Sequence, residues 1–212
     1  MSDLIVFGMP QSGYVRAVRM ACEEKGVPHV VEPMSPDQMR DCGRHPFGRM
    51  PAMEHDGVRL FESSAILRYI DHSFDGPPLN PRDPELALLA MQWESAAHDY
   101  LIPTLGRRYI LQYFFPKGPD GTPDRAVIDA ALADLRRHFA ALSAALTKGP
   151  FLFGAAPSYP DFLLAPPLAY LEDLPEGPGL LDAAPRVQRL LDAMKLRDSF
   201  QRTVPPSLTA AA

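Results

Sequence analysis

At 212 residues, with 46% hydrophobic and 22% charged side chains, the chain has core material for one large domain or two small ones. A formal net charge of −5 argues against nonspecific affinity for nucleic acid or anionic membranes. No apolar run reaches the roughly 18 residues that a membrane span needs. The start, MSDLIVFGMPQSG, lacks the basic and long apolar stretches of a secretion signal, and Cys22 and Cys42 show no metal-ligand spacing with each other or with the six histidines, so a reducing cytoplasm is the expected setting and no metal is expected.

Leu4 to Phe7 reads as a short apolar strand closed by Gly8 and Pro10. From Ser12 to Lys25, Val15, Val18 and Met20 recur at helical spacing, and Gly26 ends the run. The β-branched stretch from Val27 to Glu32 follows directly, which makes a βαβ unit with parallel strands. MSPDQMRDCGRHPFG, Met34 to Gly48, has no clean period and predicts an irregular turn of helix. Ala52–His55 and Val58–Leu60 straddle Asp56-Gly57, the strongest short hairpin signal in the chain. Ile66, Leu67, Tyr69 and Ile70 then continue as a helix from Ser63.

DGPPLNPRDP, Asp75 to Pro84, is dense in proline and turn residues and reads as a linker. Everything beyond it predicts helix: long periodic runs from Glu85 to about Phe115 and from Asp124 to Thr147, shorter ones near Pro160–Leu174 and Pro185–Met194, and a fraying TAAA end. The expected fold class is α/β plus all-α. Residues 1–75 form a βαβ-αββα domain, 76–84 a linker, and 85–212 a helical domain.

Several residues carry candidate chemistry. Proline within sheets is confined to edges, bulges or strand starts. A cis Met50–Pro51 bond would turn the Met50 N–H and C=O outward, where an extended peptide can bond to them; a trans proline opening an edge strand is the alternative. Glu62-Ser63 stands where a helix begins. The free N–H groups there suit a ligand carboxylate, Ser63 adds a hydroxyl donor, and Glu62 accepts from an ammonium group. The same pair would also serve as a helix cap worth about 1 kcal/mol.

Ser12 has the same two readings, N-cap or donor to a thiolate. A thiol titrates near 8.5, and hydrogen bonding to its charged form at a helix N-terminus lowers that value. GMPQSGY is not a G-x-S-x-G nucleophile elbow. Ser158 and Asp161 form an S-x-x-D capping box, read as structural. Cys22 lies in an apolar stripe and reads as core, whereas Cys42 is a lone thiol. His98 and Asp99 read as a polar patch on a helix. Met9, Tyr14, Tyr109, Tyr113 and Phe114 are either core or the lining of an apolar pocket.

Three segments resemble the glutathione transferase family, closest to its phi class and bacterial relatives. They are VFGMPQS with VRAVRMACEEKGV, HPFGRMPAMEHDGVRLFESSAILRYI, and FLFGAAPSYPDFLLAPPLAYLE. The resemblance implies a thioredoxin-like first domain, a cis-Pro51, Met50 pairing through its backbone with the cysteinyl part of glutathione, and Glu62-Ser63 holding the γ-glutamyl end. Ser12 matches the catalytic serine of the serine-type classes, and Phe7 stands where tyrosine-type classes carry their hydroxyl. No thiol lies near Ser12 in the sequence, so a cysteine-type mechanism is not expected.

The phi pattern has a His-Lys pair before PFG and a glutamine where this chain has Arg49. Arg49, Gln38 and Arg40 are therefore the candidates for the glycyl carboxylate. The implied activity is conjugation of the glutathione thiolate to hydrophobic electrophiles, with glutathione as co-substrate and Met9, Tyr14, Tyr109 and Tyr113 facing the apolar partner. The resemblance also implies a homodimer in which the helix after Glu62 meets the partner's long helix. The alternatives are a noncatalytic glutathione- or protein-binding module, or a glutathione-dependent peroxidase or isomerase; MPQSG lacks the isomerase-type Ser-Ser-Cys motif. Intact Ser12 and Glu62-Ser63 favour the transferase.

Overall fold

A computed structural model describes residues 3–147 and 149–207. The described chain divides into two compact units, one comprising the residues up to Arg82 together with Lys195–Ser207, the other Asp83–Met194. The TAAA end lies outside the described residues.

The first unit is built in the order β1 (Leu4–Phe7), α1 (Gly13–Lys25), β2 (His29–Glu32), α2 (Pro36–Asp41), β3 (Ala52–His55), β4 (Val58–Phe61) and α3 (Ser63–Ser73). Its four strands lie in the order β2-β1-β3-β4, with β1 parallel to β2 and antiparallel to β3. Asp56 and Gly57 both take positive φ, 45° and 81°, as a tight hairpin turn between right-twisted strands requires.

α1 buries Val15, Val18, Met20 and Cys22, and α3 buries Ile66, Leu67 and Ile70. α1 ends on Gly26 in the left-handed conformation, and the Val27 N–H bonds back to the Cys22 carbonyl at 2.9 Å. That cap takes the donor that a strand starting at Val27 would need, and β2 begins two residues later than the apolar pattern predicts. The segment after Met34 is more regular than its sequence suggests, because Ser35 and Gln38 form a full capping box at the head of α2.

The register explains where a site can form. Phe7, Ala52 and Phe61 are paired across β1, β3 and β4, so the end of β1, the start of β3 and the end of β4 share one edge of the sheet. The turns into α1 and α3 and the Met50–Pro51 corner all leave from that edge.

The second unit is helical. α4 (Pro84–Ala96) starts with Asp83 accepting from the Leu86 N–H at 2.9 Å, so Pro84 opens a helix instead of closing the linker. The chain then continues through π-helical turns at Ala97–Leu101 and Pro103–Ile110 into α5 (Leu111–Phe114). α6 (Arg125–Ala145), α7 (Tyr159–Ala169), α8 (Gly177–Asp182) and α9 (Pro185–Lys195) follow.

α7 is buried from Tyr159 to Leu168 and forms the centre of this unit. Asp161 at its start is fully buried. It accepts from the Leu152 N–H at 3.1 Å, the Ser158 N–H at 2.8 Å and the Ser158 hydroxyl at 2.5 Å. Burial pushes its pKa up to about 6 against the pull of those bonds.

After α9 the chain rejoins the first unit and forms α10 (Asp198–Arg202). The expected domain bounds, 85–212, put residues 195–207 with the helical domain. They belong with α1 because Phe200 stacks under the Arg16 guanidinium and Arg197 pairs with Glu24.

Candidate active site

Ser12 is the N-cap of α1, with its backbone extended at φ −65° and ψ 125°. Its Oγ accepts from the Val15 N–H across a long 3.5 Å, which occupies an oxygen lone pair and leaves the hydroxyl proton available. The cap and donor roles therefore do not compete. Gly8, at φ 138°, lets the preceding loop close onto the proline corner, since a Cβ there would lie 2.8 Å from both Met50 Cβ and Val15 Cγ2. The Met9 N–H also donates to the Met50 sulfur at 3.3 Å.

The Met50–Pro51 bond is cis. Met50 lies outside the strand ladder, and its N–H and C=O bond to no group among the described residues.

Glu62 precedes α3 at φ 68° and ψ 122°, a conformation that non-glycine residues adopt only where surrounding structure enforces it. Its side chain makes no cap hydrogen bond and is exposed. Its Oε1 lies 3.6 Å from His45 Nε2. Ser63 is buried at 3% exposure, and its hydroxyl has no partner among the described residues. The side chains of this pair thus do not cap α3, which starts at the same edge as Ser12.

His45 escaped the sequence reading because nothing local marks it. Its Nδ1 accepts from the Phe47 N–H at 3.2 Å, which assigns the ring proton to Nε2, on the Glu62 side. Burial holds its pKa below the usual histidine range; Glu62 pulls the other way and Arg49 reinforces the lowering.

Of the three candidates for a ligand carboxylate, one is paired and a second engages only its carboxamide oxygen, which leaves that side chain's N–H donors for a ligand. Gln38 Oε1 accepts from the Ser35 N–H at 2.8 Å, and Arg40 pairs with Asp37. Arg49 is exposed and has no hydrogen bond or ion pair among the described residues. Arg44, unremarked in the sequence, lies with its guanidinium 3.8 Å from the Phe7 ring centroid and bonds Glu54 at 2.9 Å.

The glutathione S-transferase N-terminal domain family matches residues 6–78, and the C-terminal domain family matches residues 125–193. The chain belongs to the glutathione S-transferase family. It is 29% identical to glutathione S-transferase 3 of Zea mays over 99% of this chain and 100% of that one. Among solved structures, it resembles the theta class glutathione S-transferase of Xanthomonas axonopodis pv. citri with glutathione bound, at a TM-score of 0.80 and 26% identity, covering 99% of this chain and 100% of that one. It also resembles glutathione S-transferase I from maize in complex with an atrazine glutathione conjugate, at a TM-score of 0.83 and 25% identity, covering 95% and 96%.

For a glutathione S-transferase the expected apolar lining needs correction. Met9 and Tyr14 are half-buried in the loop and first turn around Ser12. Tyr109 is fully buried inside the helical unit, where its hydroxyl donates to Glu176 Oε2 at 3.0 Å and accepts from the Glu176 N–H at 3.2 Å. It is a core residue, because one carboxylate and one amide satisfy its polar end within the fold. Tyr113 donates to the same carboxylate at 2.5 Å; burial and that carboxylate push its pKa up to about 12. Phe114 packs against Tyr170 with ring centroids 5.6 Å apart.

Cys22 is buried, which raises its thiol pKa, and exposed Cys42 points its sulfur at the Met39 carbonyl. No group of three or more metal-ligating side chains occurs among the described residues, and no described helix is long and apolar enough to cross a membrane.

Proposed function

We propose that this glutathione S-transferase family member conjugates glutathione to apolar electrophiles by a serine-assisted route. One observation carries the reading. A single edge of the sheet collects the available Ser12 hydroxyl, the unpaired Met50 backbone and the uncapped Glu62-Ser63 start of α3. These are an anion donor, a peptide dock and a zwitterion clamp.

In this reading the γ-glutamyl ammonium faces Glu62, while its carboxylate takes the Ser63 hydroxyl and the Ser63 N–H at the start of α3. The cysteinyl unit pairs with Met50, and Arg49 meets the glycyl carboxylate. The sulfur then lies toward Ser12. Its proton leaves to solvent, and the Ser12 O–H and the positive end of α1 stabilise the thiolate. The thiolate attacks the electrophilic carbon, the new C–S bond forms, and the leaving group departs with its electron pair. Met9 and Tyr14 are the residues assigned to the electrophile's apolar body.

The competing reading, a noncatalytic glutathione binder, needs the clamp but has no use for the Ser12 proton. Ser12→Ala separates the two. It should raise the pKa of the bound thiol and lower conjugation of a panel of electrophiles at least about tenfold, the scale of one lost charge-assisted bond. An unchanged thiol titration in that variant would remove Ser12 from the mechanism.

We further propose a homodimer and a reducing, cytoplasmic setting, the latter supported by the two unpaired cysteines. The apolar residues of α3 do not supply the dimer face, because Ile66, Leu67 and Ile70 are buried within the unit and the Tyr69 hydroxyl bonds His55 Nδ1 at 2.8 Å. The support comes from α4, where Leu88 and Met91 lie one turn apart at 66% and 52% exposure with Leu89 between them.

A further inference from the structure

The last described stretch of the chain follows α1 from one end to the other. At the far end, Arg197 grips Glu24 through Nε at 2.6 Å and Nη2 at 2.5 Å, and the Ser199 hydroxyl donates to the same carboxylate at 2.5 Å. Burial works against ionisation of Glu24, yet these bonds outweigh it and hold the carboxyl below its usual range. Along the middle, buried Arg16 donates to the Phe200 carbonyl at 3.0 Å and lays its guanidinium 3.8 Å from that ring's centroid.

One turn back toward Glu24 on α1, Arg19 donates to the Thr203 carbonyl at 3.2 Å. At the near end the Gln11 carboxamide reaches the Pro206 carbonyl at 3.3 Å, one residue before Ser12. Pro205 and Pro206 keep this last piece stiff.

We propose that residues 195–207 form a strap that fixes α1 along its axis and so sets the position of Ser12, making Arg197, Arg16 and Phe200 positioning residues for thiolate stabilisation. The inference rests on the role given to Ser12 above. Ser12 is tied to α1 through its Oγ, which accepts from the Val15 N–H at 3.5 Å, and its carbonyl, which accepts from the Arg16 N–H at 2.9 Å, so its place follows where the helix as a whole is held. Misplacing a reacting group by 1 Å can cost on the order of a hundredfold in rate. The Arg197–Glu24 clamp stands close to the opposite end of a 13-residue helix, about 20 Å long.

The test compares wild type, Arg197→Ala, Arg197→Lys and Ser12→Ala in the full-length protein, well below each melting temperature. Three quantities are read: the titration of the bound glutathione thiol, kcat against KM, and amide hydrogen exchange at residues 13–16. Arg197→Ala should raise the thiol pKa, lower kcat about threefold to tenfold with little change in KM for glutathione, and speed exchange at residues 13–16. Arg197→Lys keeps the charge without the two-pronged fork and should fall between.

A lower melting temperature with thiol titration and exchange both unchanged would overturn the strap. If Ser12→Ala leaves the thiol titration unmoved, the reading of Ser12 fails separately. Exchange in Arg197→Ala then still decides the strap: faster exchange supports it and unchanged exchange overturns it.

Discussion

Replacing Ser63 by alanine removes one hydroxyl from a position with little solvent to compensate, since the residue is 3% exposed. That hydroxyl caps no helix and has no partner among the described residues. The folded protein should therefore lose almost nothing, and the higher helix propensity of alanine at the start of α3 offsets part of any loss. Binding is different, because the hydroxyl is assigned to a ligand carboxylate. A hydrogen bond to a charged group contributes about 1.5–3 kcal/mol, and every 1.4 kcal/mol is a factor of about ten. Glutathione should then bind Ser63→Ala about ten- to a hundredfold more weakly, by calorimetric titration, with the melting temperature of the free protein nearly unchanged.

Glu62 sharpens the same test. Its conformation at φ 68° carries strain on the order of 1–3 kcal/mol, and glycine would relieve it at an entropic cost of about 0.5–1 kcal/mol. Glu62→Gly should thus be at least as stable as wild type while binding glutathione more weakly. If either variant melts lower and keeps its affinity, the pair is a structural start to α3 and the γ-glutamyl assignment is wrong.

Asp161 should leave a signature in the pH dependence of stability. Its carboxyl titrates at about 6 in the folded state and near 3.9 when unfolded, so between those values the folded state holds a proton that the unfolded chain has released. The stability it contributes is full below about pH 4 and declines by about 3 kcal/mol as pH rises to 6. Denaturant melts of wild type and Asp161→Asn across that range should show their difference changing by this amount and then flattening; a difference independent of pH would contradict the assignment. For the dimer, sedimentation at several concentrations should show wild type associating and a Leu88→Lys, Met91→Lys double variant staying at the monomer mass. A wild type that sediments as a monomer throughout would exclude the interface.

Local signals in this chain are strong. The apolar run Leu4–Phe7 ahead of Gly8 locates β1 correctly, Pro51 and Asp56-Gly57 bracket β3, and Asp56-Gly57 marks the hairpin because few residue pairs accept positive φ twice. The Ser12, Met50-Pro51 and Glu62-Ser63 positions are legible for a related reason: each sits at an element boundary, where a polar or conformationally restricted residue stands out. What the sequence conceals is side-chain destination. Tyr109 looks the same in a string of letters whether it faces a ligand or Glu176, 67 residues away. His45 gains its place beside Glu62 only when β4 brings the two together. The return of residues 195–207 to α1 depends on pairs separated by 173 to 195 positions, which no period or motif records.

That return has a consequence for how the molecule comes into being and how it can be recombined. Arg197, Phe200 and Pro206 follow the whole of the helical unit in the chain, so a growing polypeptide that has just released residues 1–82 still lacks the partners of Glu24, Arg16 and Gln11. The sheet and its helices can begin to assemble on the ribosome, but α1 waits for more than a hundred further residues before its outer face is covered. A hybrid made by joining two relatives at the proline-rich linker would set one parent's α1 against the other's closing segment. Recombination that preserves the first unit has to transfer two separate stretches of gene, residues 1–82 and 195–207, as a pair.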